Sequence, residues 1–143
     1  MTHGIDTGFL VAAEVAEHPD HQAARQKFQS FRAARDRFAL VPQVLPEFVH
    51  VVTDPKRFTQ PLTMDQALER AEIWWESPEV DQLGSDAFAV RTFFDWMRQH
   101  RLGHKRILDT LLASTFREAG VQSILTTNAR DFAVFGGFVC VVL

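Results

Sequence analysis

His3-Gly4-Ile5-Asp6-Thr7-Gly8-Phe9-Leu10 changes its hydrophobic rhythm at a single acid. Before Asp6, the short piece His3-Gly4-Ile5 reads as a first strand. After it, Phe9, Leu10, Ala13 and Val15 suit a helix starting directly behind Asp6 and Thr7. Strand, acid, helix is a step from which parallel α/β sheets are built. It puts the acid at a strand's carboxyl end, where such sheets bind ligands.

The same alternation continues outward. Pro19 ends one helix and opens another through Ala23, Ala24, Phe28 and Phe31. Phe38-Ala39-Leu40-Val41, bounded by Pro42, reads as a buried strand. Val44, Leu45, Phe48, Val49 and Val52 predict a helix ending at Asp54-Pro55. Met64, Ala67, Leu68, Ala71, Ile73 and Trp74 predict another, with Thr63 as N-cap. Val80 to Leu83 reads as a short strand. Ser85 is the expected cap of a helix through Phe88, Val90, Phe93, Phe94, Trp96 and Met97, closed by Gly103. Ile107 to Ala119 is strongly helical, with Gly120 as its stop, and Ser123–Thr126 and Phe138–Val142 are the last strands. The expectation is a mainly parallel sheet of four or five strands with helices on both faces, in one domain covering 1–143.

The bulk numbers narrow the function classes. The chain has 143 residues, 46% hydrophobic and 23% charged, with a formal charge of −3. It is no polycation, so any handling of nucleic acid needs a local basic patch or metal ions. The single Cys140, within Phe138–Leu143, excludes a disulfide framework and a Cys-rich zinc site; it is expected to be a buried strand residue. No apolar stretch reaches the roughly 20 residues of a membrane helix, and the N-terminus has no secretory pattern. A soluble cytoplasmic protein is expected.

Four acids stand out by placement. Asp6 ends the first strand. Glu47 lies in a helix among Leu45, Phe48 and Val49. Asp109 sits near a helix start among Ile107, Leu108, Leu111 and Leu112. Asp131 follows the strand Ile124–Thr126. A carboxylate embedded in apolar sequence needs a partner, because burying an unpaired charge costs several kcal/mol. Each has a local alternative: helix caps or first-turn acids for Asp6 and Asp109, an Arg pair for Glu47, a turn for Asp131. A shared partner for several of them is Mg²⁺, which takes oxygen ligands, keeps several waters and can activate one of them.

Gly4–Leu10, Pro42-Gln43-Val44-Leu45-Pro46-Glu47-Phe48, Arg106–Ala113 and Leu125–Phe132 together resemble a PIN domain, and within that class the VapC-type toxins. The pieces occur in the family's order over essentially the whole chain. The resemblance implies a three-layer α/β/α fold. It implies a Mg²⁺-dependent (Mn²⁺ as substitute) endoribonuclease that is the toxin of a toxin–antitoxin pair, with RNA as substrate and a cognate antitoxin; the oligomeric state is open, with a homodimer the usual default. By the same resemblance Asp6, Glu47, Asp109 and Asp131 are the catalytic acids, and Asp6 and Asp109 the metal ligands. Thr7, Thr126 and Asn128 support them. The departure is Asn128, a neutral amide where many relatives carry an acid; the fourth site position is open between the Asn128 carbonyl oxygen, which can ligate or hold a water, and Asp131, which can supply the missing charge.

Other features are less specific. In the cluster Arg101, His104, Lys105 and Arg106, the last two are candidate RNA contacts, against a solvated helix terminus. Arg25, Lys27, Arg32, Arg35 and Arg37 read as a wet amphipathic face. Trp74-Trp75 and the aromatics Phe88, Phe93, Phe94 and Trp96 read first as core. A stacking platform and a dimer or antitoxin surface, respectively, are the alternatives. The histidines lack zinc-ligand spacing. Two rivals stand beside the ribonuclease: a metal-dependent phosphohydrolase of another α/β class, and an inactive PIN-like interaction module. A glycine at position 8 and the lack of a lysine near Leu125–Asp131 weigh against the first. Asn128 favours the second.

Overall fold

The computed structural model describes residues 1–141 and 143. Its elements in chain order are β1 (Thr2–Ile5), α1 (Thr7–Glu14), α2 (His21–Ala33), β2 (Arg37–Leu40), α3 (Val44–Val52), α4 (Met64–Glu76), β3 (Val80–Gln82), α5 (Ala87–Gln99), a 3-10 turn (His104–Arg106), α6 (Ile107–Glu118), β4 (Ser123–Leu125), α7 (Arg130–Ala133) and β5 (Val139–Val141). The five strands form one sheet in the order β3-β2-β1-β4-β5, and every pairing is parallel. Val142, the expected end of the last strand, lies outside the described residues.

The strand order follows from right-handed crossovers. From β1 through β2 to β3 the chain steps in one direction, so α1 to α4 share a face, and α1 packs on α2 and α3, and α3 on α4. From β3 it returns across the sheet to β4, which puts the paired helices α5 and α6 on the other face. The direction of travel reverses between β1 and β4. Parallel sheets open a crevice at that reversal, beyond the strands' carboxyl ends.

Strand and helix stops are chemical. Thr63 caps α4 in a full capping box with Gln66, as its sequence suggests. The cap of α5 is Asp86 rather than Ser85: its carboxylate accepts the Ala89 N–H at 2.8 Å. Ser85 instead meets Thr115 Oγ1 of α6 at 2.7 Å. A carboxylate is an equally good cap one residue later. The helix stops at His100, and Gly103 instead precedes the 3-10 turn. Cys140 is only partly buried, because β5 is an edge strand. A buried core of Phe9, Phe38, Phe48, Phe116, Phe132 and aliphatic neighbours runs between the sheet and both helix layers. Gly4 sets the distance of one layer: a Cβ there would stand 2.7 Å from the ring of Phe116.

Candidate active site

Asp6 caps α1, its Oδ1 accepting the Thr7 N–H at 2.8 Å. Its backbone N–H continues the sheet by donating to Leu125 O at 3.0 Å. Because Ile5 pairs with Leu125, Asp6 and Thr126 stand one step past the same rung of neighbouring strands. The Thr126 hydroxyl therefore reaches Asp6 Oδ2 at 2.8 Å. Thr7 is buried and turns its hydroxyl to Glu47 Oε2 at 3.1 Å, tying α3 to α1. Asn128 donates its amide to Asp131 Oδ2 at 2.8 Å and its backbone N–H to Thr126 Oγ1 at 3.0 Å. Thr7, Thr126 and Asn128 thus each hold one of the acids in place.

Asp6, Glu47, Asp109 and Asp131 all line one open pocket of about 390 Å³, together with Asn128. Among the described residues, Asp109 alone of the four has an arginine within ion-pair distance of its carboxylate: Arg106 Nε lies 4.0 Å from Asp109 Oδ2, beyond hydrogen-bond reach. The Arg106 Nη2 donates instead to the backbone carbonyl of Asp131, and its Nε is buried without a partner. Arg106 is turned inward, whereas Lys105 is exposed on the 3-10 turn.

The charges feel one another. Burial pushes Asp6 up to about 6 against the pull of its Thr126 and Thr7 hydrogen bonds, and the charges of Glu47 and Asp131 push the same way. Asp109 is also pushed up to about 6, by burial and by Asp6 and Asp131, with Arg106 opposing. Among the described residues, no three acidic, histidine or cysteine side chains are already drawn close enough to cage an ion. The donor set nonetheless fits a hard cation: it is all carboxylate and amide oxygen, mutually repelling, and nearly free of arginine.

Several expectations are adjusted here. Glu47 is exposed rather than embedded, because α3 buries Val44, Phe48 and Val52 and turns Glu47 to the rim. Ile107 and Leu108 before Asp109 are exposed as well. Asp131 sits in the short helix α7, not a loop. Trp74 is core, its indole N–H donating to Glu14 at 2.7 Å. His3 is buried between Ser123 Oγ (2.7 Å) and Asp36 Oδ2 (2.9 Å), away from the pocket. Sequence reading missed His18, Arg57, Phe58 and Thr127, which also line the pocket. No spacing rule links them to the acids. Gly8 has no side chain because Thr127 approaches it so closely that a Cβ would collide with its hydroxyl.

No protein-family model matches the chain. Ribonuclease VapC24 of Mycobacterium tuberculosis is 29% identical over 132 residues, covering 92% of this chain and 90% of that protein. Among solved structures, Mycobacterium tuberculosis VapC20, a Sarcin-Ricin loop cleaving toxin, superposes with a TM-score of 0.75 at 20% identity over all of both chains. This chain has the PIN fold of the VapC proteins. VapBC2 from Rickettsia felis, bound to a DNA fragment from its promoter, follows at a TM-score of 0.70 and 17% identity, covering 100% of this chain and 99% of that one. VapBC-1 from nontypeable Haemophilus influenzae gives 0.67 at 14% identity, covering 99% and 98%. Within this PIN fold the acid pocket lies at the reversal of strand order.

Proposed function

We propose that this chain is a metal-dependent endoribonuclease and the toxin of a toxin–antitoxin pair, with Asp6, Glu47, Asp109 and Asp131 as its working acids. One observation carries the reading. Four carboxylates from four separate segments line a single pocket, three held by threonine or asparagine rather than neutralised by arginine. The VapC24 and VapC20 relationships support the same chemistry and an RNA substrate.

Asp6 and Asp109 would hold the cation, Mg²⁺ or Mn²⁺. When bound, it supplies charge neutralisation on the phosphate and a more acidic water. Thr126 and the Thr7 N–H fix both oxygens of Asp6, which lines the pocket. Glu47 offers Oε1 to take the proton of the attacking water, since Thr7 engages Oε2. Asp131, steadied by Asn128, contributes the negative charge that the amide itself lacks. Lys105, exposed on the 3-10 turn that leads into α6, is the candidate contact to the RNA backbone; Arg106 acts on Asp131 and Asp109.

An antitoxin partner is supported by the VapBC neighbours and by an apolar groove of about 400 Å³ between α3 and α4, where Leu45, Val49, Leu68 and Trp75 are open to a helix or tail. A homodimer through the exposed Phe88 and Phe94 of α5 belongs to the same reading. So do a cytoplasmic location and a single domain over 1–143. No helix among the described residues is long and apolar enough to cross a membrane.

The test is RNA cleavage by folded Asp6→Asn and Asp109→Asn proteins with Mg²⁺ or Mn²⁺. Each substitution is expected to lower the rate by 10²-fold or more, on the order of a lost electrostatic contact in a transition state. Unchanged cleavage by either variant refutes the assignment. Wild-type protein that neither cleaves RNA nor gains thermal stability with Mn²⁺ is instead the inactive interaction module.

A further inference from the structure

The acids cannot be the whole substrate site. RNA is a polyanion, and a pocket lined by four carboxylates repels its flanking phosphates even when one cation is bound. The acids are only part of the pocket's lining. His18, from the α1–α2 connection, and Arg57 and Phe58, from the loop after α3, line the same space.

We infer that His18, Arg57 and Phe58 form the subsite that receives single-stranded RNA beside the cleaved bond, Arg57 holding a neighbouring phosphate and Phe58 stacking an unpaired base. The ligand's identity rests on the ribonuclease reading above; the geometry of the three residues does not.

Arg57 is available. Its only partner among the described residues is Asp54 at 3.7 Å, an exposed i,i+3 pair that is easily given up. A phosphate offers a guanidinium two parallel charge-assisted hydrogen bonds instead. Phe58 is half-buried against the core yet lines the pocket, so it is a ring already held in place. Such a platform suits any base, since every base has a π-face, but only a base free of a duplex can reach it. His18 accepts the Asp20 N–H on Nδ1 at 3.0 Å. Its ring proton therefore sits on Nε2, as a donor free for a phosphate or sugar oxygen.

A clamp holds the two loops together. The Glu17 carboxylate accepts the backbone N–H of Thr59 at 2.7 Å and of Gln60 at 3.1 Å. It joins the segment bearing His18 to the one bearing Arg57 and Phe58. Glu17 is thus a positioning residue for these three, touching no substrate itself.

The experiment measures binding apart from cleavage. A short labelled single-stranded RNA of mixed sequence, and the same sequence as a duplex, are titrated by anisotropy in EDTA. Wild type is expected to prefer the single strand. Arg57→Ala should weaken that binding about tenfold and flatten the slope of log K against log salt by about 0.7, one phosphate's worth. Arg57→Lys should restore the slope. Phe58→Leu, which keeps the apolar packing, should weaken it about tenfold and abolish the preference over duplex. With Mg²⁺, Arg57→Ala and Glu17→Ala should raise KM with kcat within about twofold. Arg91→Ala, outside the pocket on α5, is the unaffected control.

The inference is overturned if Arg57→Ala and Phe58→Leu bind the single strand as wild type does, or if wild type binds duplex equally well. Weakened binding by these variants in a protein that never cleaves RNA supports the subsite and removes only the ribonuclease reading.

Discussion

Thr126 shows how much one hydroxyl does at residue scale. It holds Asp6 Oδ2 and also caps the turn through the Asn128 N–H. Burial already pushes Asp6 up to about 6, and the Thr126 bond is the largest influence opposing it. In metal-free Thr126→Val, NMR titration should find the Asp6 carboxyl higher still, as expected for the loss of a hydrogen bond to its charged form. An unmoved titration would mean that other donors hold it. Gly4 makes a separate, purely steric point. Gly4→Ala sets a methyl 2.7 Å from the Phe116 ring, in a strand and core that cannot step aside. Urea unfolding should register a loss of about 1–3 kcal/mol. Asp6 and Asp109 were legible as candidates from their places beside a strand end and a helix start. Arg57 and His18 were not, because their relation to the acids exists only through the packing of loops.

At the scale of elements, the hydrophobic periods were enough to find the major helices and strands, since burial dictates both 3.6- and 2-residue rhythms. They misplaced ends and exposure. Ser85 and Asp86 are both good caps by chemistry, and the choice went to Asp86 because Thr115 claims the Ser85 hydroxyl. Glu47 looked buried from its neighbours, but one residue of rotation along α3 separates a core position from the rim. One inter-element link is strong enough to test. Glu14 at the end of α1 accepts both the Trp74 indole N–H at 2.7 Å and Arg70 Nη1 at 2.6 Å from α4. Glu14→Ala leaves the mostly buried indole N–H without its partner. It should lower unfolding free energy by about 1–3 kcal/mol, with Trp74 fluorescence reporting the loosened contact.

For the whole molecule, the burial of Asp6 and Asp109, with the repulsion among the acids added to it, sets a pH dependence. Asp6 and Asp109 bind protons more tightly folded than unfolded, their values near 6 lying above the ordinary 3.8. Metal-free protein is therefore least stable above pH 6 and gains stability as pH falls from 6 toward 4. Below that window Asp36, held low by hydrogen bonding to His3 and by the N-terminal amine, acts in the opposite sense. Thermal melts in EDTA should rise between pH 7.5 and pH 5. Added Mg²⁺ should raise the melting temperature at pH 7.5 and have little effect near pH 5, where protons hold the ligand oxygens. A flat profile in EDTA would show that burial and neighbouring charge do not hold the two carboxyls up in solution. The architecture itself was readable because a parallel sheet leaves few topologies once strands and helices alternate. The rest of the pocket's lining was not, since it depends on where two long connections come to rest.

The Thr126–Asp6 bond spans 120 positions of sequence. On the ribosome, Asp6 and Glu47 emerge well before β4, which must follow them out before it can dock beside β1. Contacts this distant along a chain form late. A polypeptide cut short of β4 therefore carries Asp6 and Glu47 without the neighbouring strand whose threonine holds Asp6 in place.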